Sequence, residues 1–262
     1  MKKIVAKNII TKSDLPGVDF VINPYVGCGH GCIYCYADFM KKFYEINEKW
    51  GTFVYPKDFK IPEIGKKYDN RSIFISSVTD SYQPVEKKYK KMRGILGAFK
   101  DSKAKISILT KSDLVLRDID LIKQIKNIEV GFSISHLSNG LKKHIEPGTS
   151  NIEDRIDALK ILKENGIKTY IFMAPLWPGI SNTDRIVELT HNFVDYYMAD
   201  NLRLKFNNKK IIFDLIKKYF PKLFPLYQEI YNKDDFNYWQ EENKKLLKLS
   251  KQYNKKIKVY FK

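Results

Sequence analysis

The chain has 262 residues, 44% of them hydrophobic, enough for a buried core in one large domain or two small ones. No apolar stretch approaches the ~20 residues of a membrane span, and Lys7 and Asn8 interrupt any apolar signal region, so a cytoplasmic protein with no membrane partner is expected. The net charge is +17, and residues 201–262 alone hold 16 Lys/Arg against 6 Asp/Glu. That basic end suggests an anionic partner such as nucleic acid. Arg203 is its only arginine, however, and a lysine-rich face can equally be a solvated one.

The first predicted strand covers 19–23. It leads into Asn23-Pro-Tyr-Val-Gly-Cys-Gly-His-Gly-Cys-Ile-Tyr-Cys-Tyr-Ala37, which holds Cys28, Cys32 and Cys35, the only cysteines of the chain. Residues 50–70 show little periodicity and read as an insertion, a lid or a substrate-binding loop. A second strand is predicted at 72–77, then a helix carrying Val85, Tyr89, Met92, Leu96 and Phe99 at intervals of three and four. A strand at 105–110, a helix at 114–125 and a strand at 129–135 follow. The next helix carries Ile152, Ile156, Leu159 and Leu162, with a capping box of Ser150 and Glu153 and an end at Asn165-Gly166. A strand at 168–173, a helix at 183–198 and a strand at 201–205 complete the series. Segments 209–231 and 235–254 read as helices interrupted by Pro221 and Pro225, and 257–261 as an edge strand or a tail.

Six strand–helix units predict a parallel sheet covered by helices. Six strands fall short of a closed eight-stranded barrel. The expected fold is therefore α/β, a partial (β/α)6 TIM-like barrel over 1–206, with a basic, mostly helical C-terminal extension over 207–262. Its active site is expected at the carboxyl ends of the strands, where the cysteine run also falls.

Three thiolates spaced this closely can wrap one small inorganic cluster. A 4Fe–4S cube usually takes four cysteines, so three would leave one iron open to a small molecule. A disulfide would strand the odd cysteine. A Cys3His zinc site with His30 is the alternative, cramped by the place of His30 between two of the cysteines. It would make the chain a nucleic-acid-binding protein with a structural metal.

The cysteine spacing, with an aromatic just before the last cysteine, resembles the signature of the radical S-adenosylmethionine (SAM) superfamily. The flanking Asn23-Pro-Tyr-Val-Gly-Cys28 and Tyr34-Cys-Tyr-Ala37 resemble its spore photoproduct lyase-like branch, as do Thr79-Asp-Ser-Tyr-Gln-Pro84, Thr110-Lys-Ser112 and Glu146-Pro-Gly148 ahead of Arg155. The resemblance implies a 4Fe–4S cluster on Cys28, Cys32 and Cys35 whose open iron chelates SAM. Reductive cleavage would then give a 5′-deoxyadenosyl radical that abstracts hydrogen from an unidentified substrate, a nucleic acid or a peptide. The electron would come from a flavodoxin- or ferredoxin-type donor.

The resemblance also assigns cofactor-binding roles. Ser77, Thr79 and Asp80 would accept from the ammonium of SAM, although Thr79 and Asp80 also suit a helix cap. Lys111 would meet the carboxylate, or else pair with Asp80 or Glu86. Ser133 and Ser135 share a strand face and suit ribose or carboxylate recognition. Arg155 would contact the cofactor or pair with Glu146. Tyr34 and Ala174 would lie against adenine. Spore photoproduct lyase carries a hydrogen-donating cysteine near the end of its second strand, where this chain has Ser76 and Ser77. Tyr36 and Tyr82 are therefore the expected catalytic tyrosines, placed to quench a substrate radical.

Overall fold

A computed structural model describes residues 4–261 except Pro62, Lys205 and Asp234. Its strands are β1 (Ile4–Val5), β2 (Ile10–Lys12), β3 (Phe20–Ile22), β4 (Tyr25–Gly27), β5 (Val54–Asp58), β6 (Ser72–Ile75), β7 (Lys105–Thr110), β8 (Ile128–Ser133), β9 (Lys168–Leu176), β10 (Tyr196–Asn201) and β11 (Lys256–Val259). Eight of them form one open sheet in the order β2-β3-β6-β7-β8-β9-β10-β11. All neighbours from β3 to β11 are parallel, and β2 runs antiparallel to β3 at the edge.

Alternation explains why these segments are strands. Ile73 and Ile75, Ile106 and Ile108, Ile171 and Met173, and Tyr197 and Ala199 are buried in the main core. Between them Phe74, Leu109, Phe172 and Met198 lie half-buried on the other face. Each fully buried aliphatic side chain stabilises the fold by about 1.5–3 kcal/mol.

The sixth parallel strand is Tyr196–Asn201, not 201–205, and the predicted end at Lys205 lies outside the described residues. The helix expected over 183–198 stops at Thr190. Beyond it, Tyr196 to Ala199 pair with β9 on one side and β11 on the other, so period-two burial wins over the helical reading. The helix expected around Met92 is two helices, Glu86–Tyr89 and Lys91–Ala98, joined at a left-handed Lys90 (φ +49°). The break is held by Glu86, whose carboxylate accepts from the Lys91 and Met92 N–H groups, 3.0 Å each. The segment predicted helical over 114–125 is a 3-10 turn followed by the short helix Ile119–Ile122.

The capping box does not form. Ser150 Oγ donates to Asp113 Oδ1 at 2.6 Å instead, and Glu153 accepts from Asn139 in the helix Asn139–Ile145. Within 50–70, Val54–Asp58 is the middle strand of a small sheet ordered β1-β5-β4, which carries the chain into the cysteine run.

Residues 206–252 make the helices Phe206–Tyr219, Phe224–Asn232 and Asn237–Gln252, interrupted by a 3-10 turn at Pro221–Leu223. β11 then closes the row beside β10, as an edge strand. Ile212, Ile216 and Tyr227 pack with Trp177 and Ile145, close to Ile33 and Tyr34 of the cysteine run. Among the described residues no helix is long and apolar enough to cross a membrane.

Candidate active site

The cysteine loop begins at Gly27, the last residue of β4, with φ +86°. A Cβ there would lie 2.4 Å from the Phe53 carbonyl oxygen, so only glycine turns the chain into Cys28. Beyond this point the loop is clasped from several sides. Gly29 N–H donates to Gln83 Oε1 at 2.7 Å, and Gln83 Nε2 donates to the Gly27 carbonyl at 3.3 Å and to Thr79 Oγ1 at 3.0 Å. Thr79 Oγ1 donates to the same carbonyl at 2.6 Å. Gly148 N–H donates to the His30 carbonyl, and Ile33 N–H to the Ile145 carbonyl, 3.0 Å each. A Cβ on Gly148 would lie 2.2 Å from the Gly29 oxygen, which explains the glycine of the Glu146-Pro-Gly148 run. The Tyr34 hydroxyl donates to Glu146, and the Tyr36 hydroxyl to the Ser77 carbonyl.

Cys28 is buried, Cys32 and Cys35 are half-buried, and all three are free thiols. Burial pushes Cys28 up to about 12, with Asp80 and Cys35 adding to it. Burial also raises Cys32 and Cys35, against the opposing pull of Lys111. His30 is buried as well, and burial holds its imidazole at about 4 in spite of Asp80. Its Nδ1 lies 3.3 Å from Asp80 Oδ2. Among the described residues no three His, Cys, Asp or Glu side chains converge as ligands of a single ion, the three cysteines with or without His30 included.

Two charged clusters support the loop. Asp80 accepts from Tyr82 N–H (2.9 Å), Thr110 Oγ1 (2.8 Å) and Lys111 N–H (2.8 Å), tying the ends of β6 and β7 together beneath His30. Glu146 and Arg155 form a buried ion pair, with Arg155 Nη2 2.8 Å from Glu146 Oε2. Arg155 also donates through Nη1 to the Ser133 carbonyl (3.0 Å) and through Nε to the Ser150 carbonyl (3.1 Å). Burial would raise the Glu146 carboxyl, but Arg155 and Lys111 outweigh it and hold it at about 2. Burial works against the charge of Lys111, yet Cys32 and Glu146 overcome it, so the ammonium is held above the ordinary lysine value. Lys111 Nζ stands 5.7 Å from the Tyr34 ring centroid.

The Radical SAM superfamily model matches residues 22–189, well over half of the sequence. The chain belongs to the radical SAM superfamily. This radical SAM chain is 43% identical to an uncharacterised protein of Methanocaldococcus jannaschii over 242 residues, 92% of this chain and 90% of that one. It is 27% identical to the radical SAM Nalpha-GlyT isomerase of Pseudomonas phage M6 over 172 residues, 63% of this chain and 35% of the phage protein. Its fold is that of spore photoproduct lyase. The structure of that enzyme complexed with dinucleoside spore photoproduct superposes with a TM-score of 0.65 at 15% identity, covering 98% of this chain and 82% of the lyase. Streptococcus suis SuiB bound to S-adenosylmethionine gives 0.59 at 15% identity, covering 92% and 49%.

The superfamily works with a 4Fe–4S cluster and SAM, and the residues of this radical SAM chain fit a polar ligand beside the thiols. His30 Nε2, Ser135 Oγ, His136 Nε2 and Trp177 Nε1 are buried without a hydrogen-bond partner among the described residues. They belong to the cysteine loop and to the residues just past β8 and β9. Unpaired buried polar atoms are expensive, so these four, in the loop and at the ends of β8 and β9, are free to meet a polar ligand, while Ser81, Tyr82 and Tyr227 carry the other unpartnered atoms.

The predicted site residues divide into three groups. Lys111, Tyr34, Ser133, Ser135 and Ala174 sit at the strand ends near the loop; Ser133 Oγ donates to the Ala174 carbonyl at 2.9 Å, and Tyr34 meets Trp177 edge-on at 5.8 Å. Ser77, Thr79, Asp80 and Arg155 have their polar atoms engaged by the protein, with Ser77 Oγ accepting from Asn23 Nδ2 at 2.8 Å. Tyr82 is fully buried in the main core, beside Asp118, and its N–H donates to Asp80 Oδ1 at 2.9 Å. Tyr36 is 58% exposed. Gln83, Glu146 and Gly148 act on the loop more directly than most of the predicted set. The one sequence signal for them was their place inside the Tyr-Gln-Pro and Glu-Pro-Gly runs.

Proposed function

We propose that this chain is a radical SAM enzyme in which Cys28, Cys32 and Cys35 hold three irons of the cluster and the neighbouring strand ends hold SAM. The observation that carries this reading is the clasped three-thiol loop beside four buried, unpartnered polar atoms. Bound there, the reduced cluster and SAM supply a 5′-deoxyadenosyl radical able to abstract hydrogen from an unactivated carbon. The chain supplies the rest. Lys111 presents a fixed ammonium to the carboxylate of SAM. Tyr34, held by Glu146 and Lys111, offers its ring to the adenine against Ala174. Ser133, Ser135 and His136 offer short polar groups to the ribose. A flavodoxin- or ferredoxin-type donor delivers the electron.

A nucleic acid substrate is favoured by one feature. A groove of about 1440 Å³ opens beside Tyr36 and Phe39 and is lined by five lysines, among them Lys41, Lys42, Lys209 and Lys217, against the three carboxylates of Asp38, Glu45 and Asp214. Exposed rings interleaved with lysines suit bases and phosphates.

With strong reductant and SAM, anaerobically loaded protein is expected to form 5′-deoxyadenosine even without substrate. Iron-loaded protein that forms none would overturn the reading. The same assay on thymine-dimer DNA is expected to show DNA bound at low salt but little or no thymine monomer, because Ser76 and Ser77 stand where a hydrogen-donating cysteine would. Rapid, multiple-turnover repair would restore the lyase reaction. Lys111→Ala is expected to weaken SAM binding by about 2–3 kcal/mol while leaving iron content intact. Unchanged affinity in equilibrium binding would remove Lys111 from the site.

A further inference from the structure

Gln83 is fully buried, and its amide spends both ends on one residue's surroundings. Its oxygen takes the N–H of Gly29, the residue after Cys28, at 2.7 Å. Its nitrogen reaches the carbonyl of Gly27, the residue before Cys28, at 3.3 Å. The two peptide groups that flank Cys28 are therefore fixed by a single side chain from the turn between β6 and the helix Glu86–Tyr89. Thr79, on the same turn, backs the Gly27 side alone.

The Gly29 contact has an electronic side. Backbone N–H groups next to a cluster cysteine are the usual donors to cluster sulfur, and each such bond favours the reduced form and raises the potential. Gln83 takes the Gly29 N–H for itself. We propose that Gln83 is a positioning residue that sets the backbone on both sides of Cys28 and withholds the Gly29 N–H from the cluster, keeping its potential low. A low potential is what a cluster needs to reduce a sulfonium. The inference rests on Cys28, Cys32 and Cys35 being the cluster ligands.

The test compares wild type, Gln83→Leu and Gln83→Glu, each reconstituted anaerobically. Iron and sulfide are counted per chain, and the midpoint potential is read by EPR-monitored potentiometry. Gln83→Leu frees the Gly29 N–H. The expected result is a midpoint potential shifted positive, or a several-fold loss of iron in a protein that keeps its native circular dichroism. Gln83→Glu keeps an acceptor for Gly29 but loses the donor to the Gly27 carbonyl, and is expected to show no positive shift in the iron it holds. A Gln83→Leu protein with wild-type iron and wild-type potential overturns the proposal. If that variant does not fold, Gln83→Glu decides alone, and a positive shift in it overturns the proposal. Wild-type protein that holds no cluster would instead strike the ligand assignment.

Discussion

Replacing any one of Cys28, Cys32 or Cys35 by Ala is expected to take the iron content of anaerobically reconstituted protein from about four per chain to near zero, with 5′-deoxyadenosine formation lost alongside it. The expectation is all-or-none for two reasons. The chain has no fourth cysteine to step in. The loop backbone is also held in place, with Gly29, His30, Ile33 and Tyr34 each bonded to Gln83, Gly148, Ile145 or Glu146, so a replacement ligand cannot be brought in by moving the chain. Circular dichroism should be unchanged, because the clasp consists of bonds that do not involve sulfur. One zinc per chain with no sulfide, in wild type, would refute the cluster outright. So would an alanine variant that keeps the iron and its brown absorbance.

The second large effect concerns Arg155. Arg155→Leu is expected to destabilise the fold by about 3–5 kcal/mol in urea denaturation, since it leaves the Glu146 carboxylate buried without its main counterion. The two side chains are 1% and 2% exposed, so water cannot replace the lost partner. The Ser133 and Ser150 carbonyls would lose their donors as well. The pH dependence has a definite sign. Glu146 is held at about 2, below its ordinary 4.5, so its contribution is complete above about 4.5 and drains away as the pH falls toward 2. In Arg155→Leu that acid-side loss should be much smaller. A destabilisation under about 1 kcal/mol would show that Lys111 alone suffices for the carboxylate, and would sink the pair as the support of Tyr34.

Much of the architecture was legible because strand burial alternates locally. Ile73 and Ile75, or Ile106 and Ile108, announce a covered face within a few residues. The cysteine loop was legible for the same reason, its chemistry lying within eight consecutive residues. What failed was decided by distant chain. Tyr197 and Met198 suit a helix or a strand equally, and β9 and β11 on either side settle the matter. Ser150 had a helix cap on offer and took Asp113 instead. Tyr82 adjoins a motif that serves the site, yet one turn of backbone sends its ring into the core. Gln83 was hidden in that motif, because its partner lies 54 residues earlier and no local pattern reports such a contact.

The clasp on the cysteine loop also orders events in time. Tyr34 and its partner Glu146 are 112 residues apart. At ordinary rates of translation that gap takes roughly 6–22 s to synthesise. Throughout that interval the three thiols are on a finished stretch of chain whose last fasteners do not yet exist. Only once Gly148 has left the ribosome can the loop acquire its mature shape. The clasp is therefore a late contact of the folding chain, closed only when the partners that follow β8 arrive.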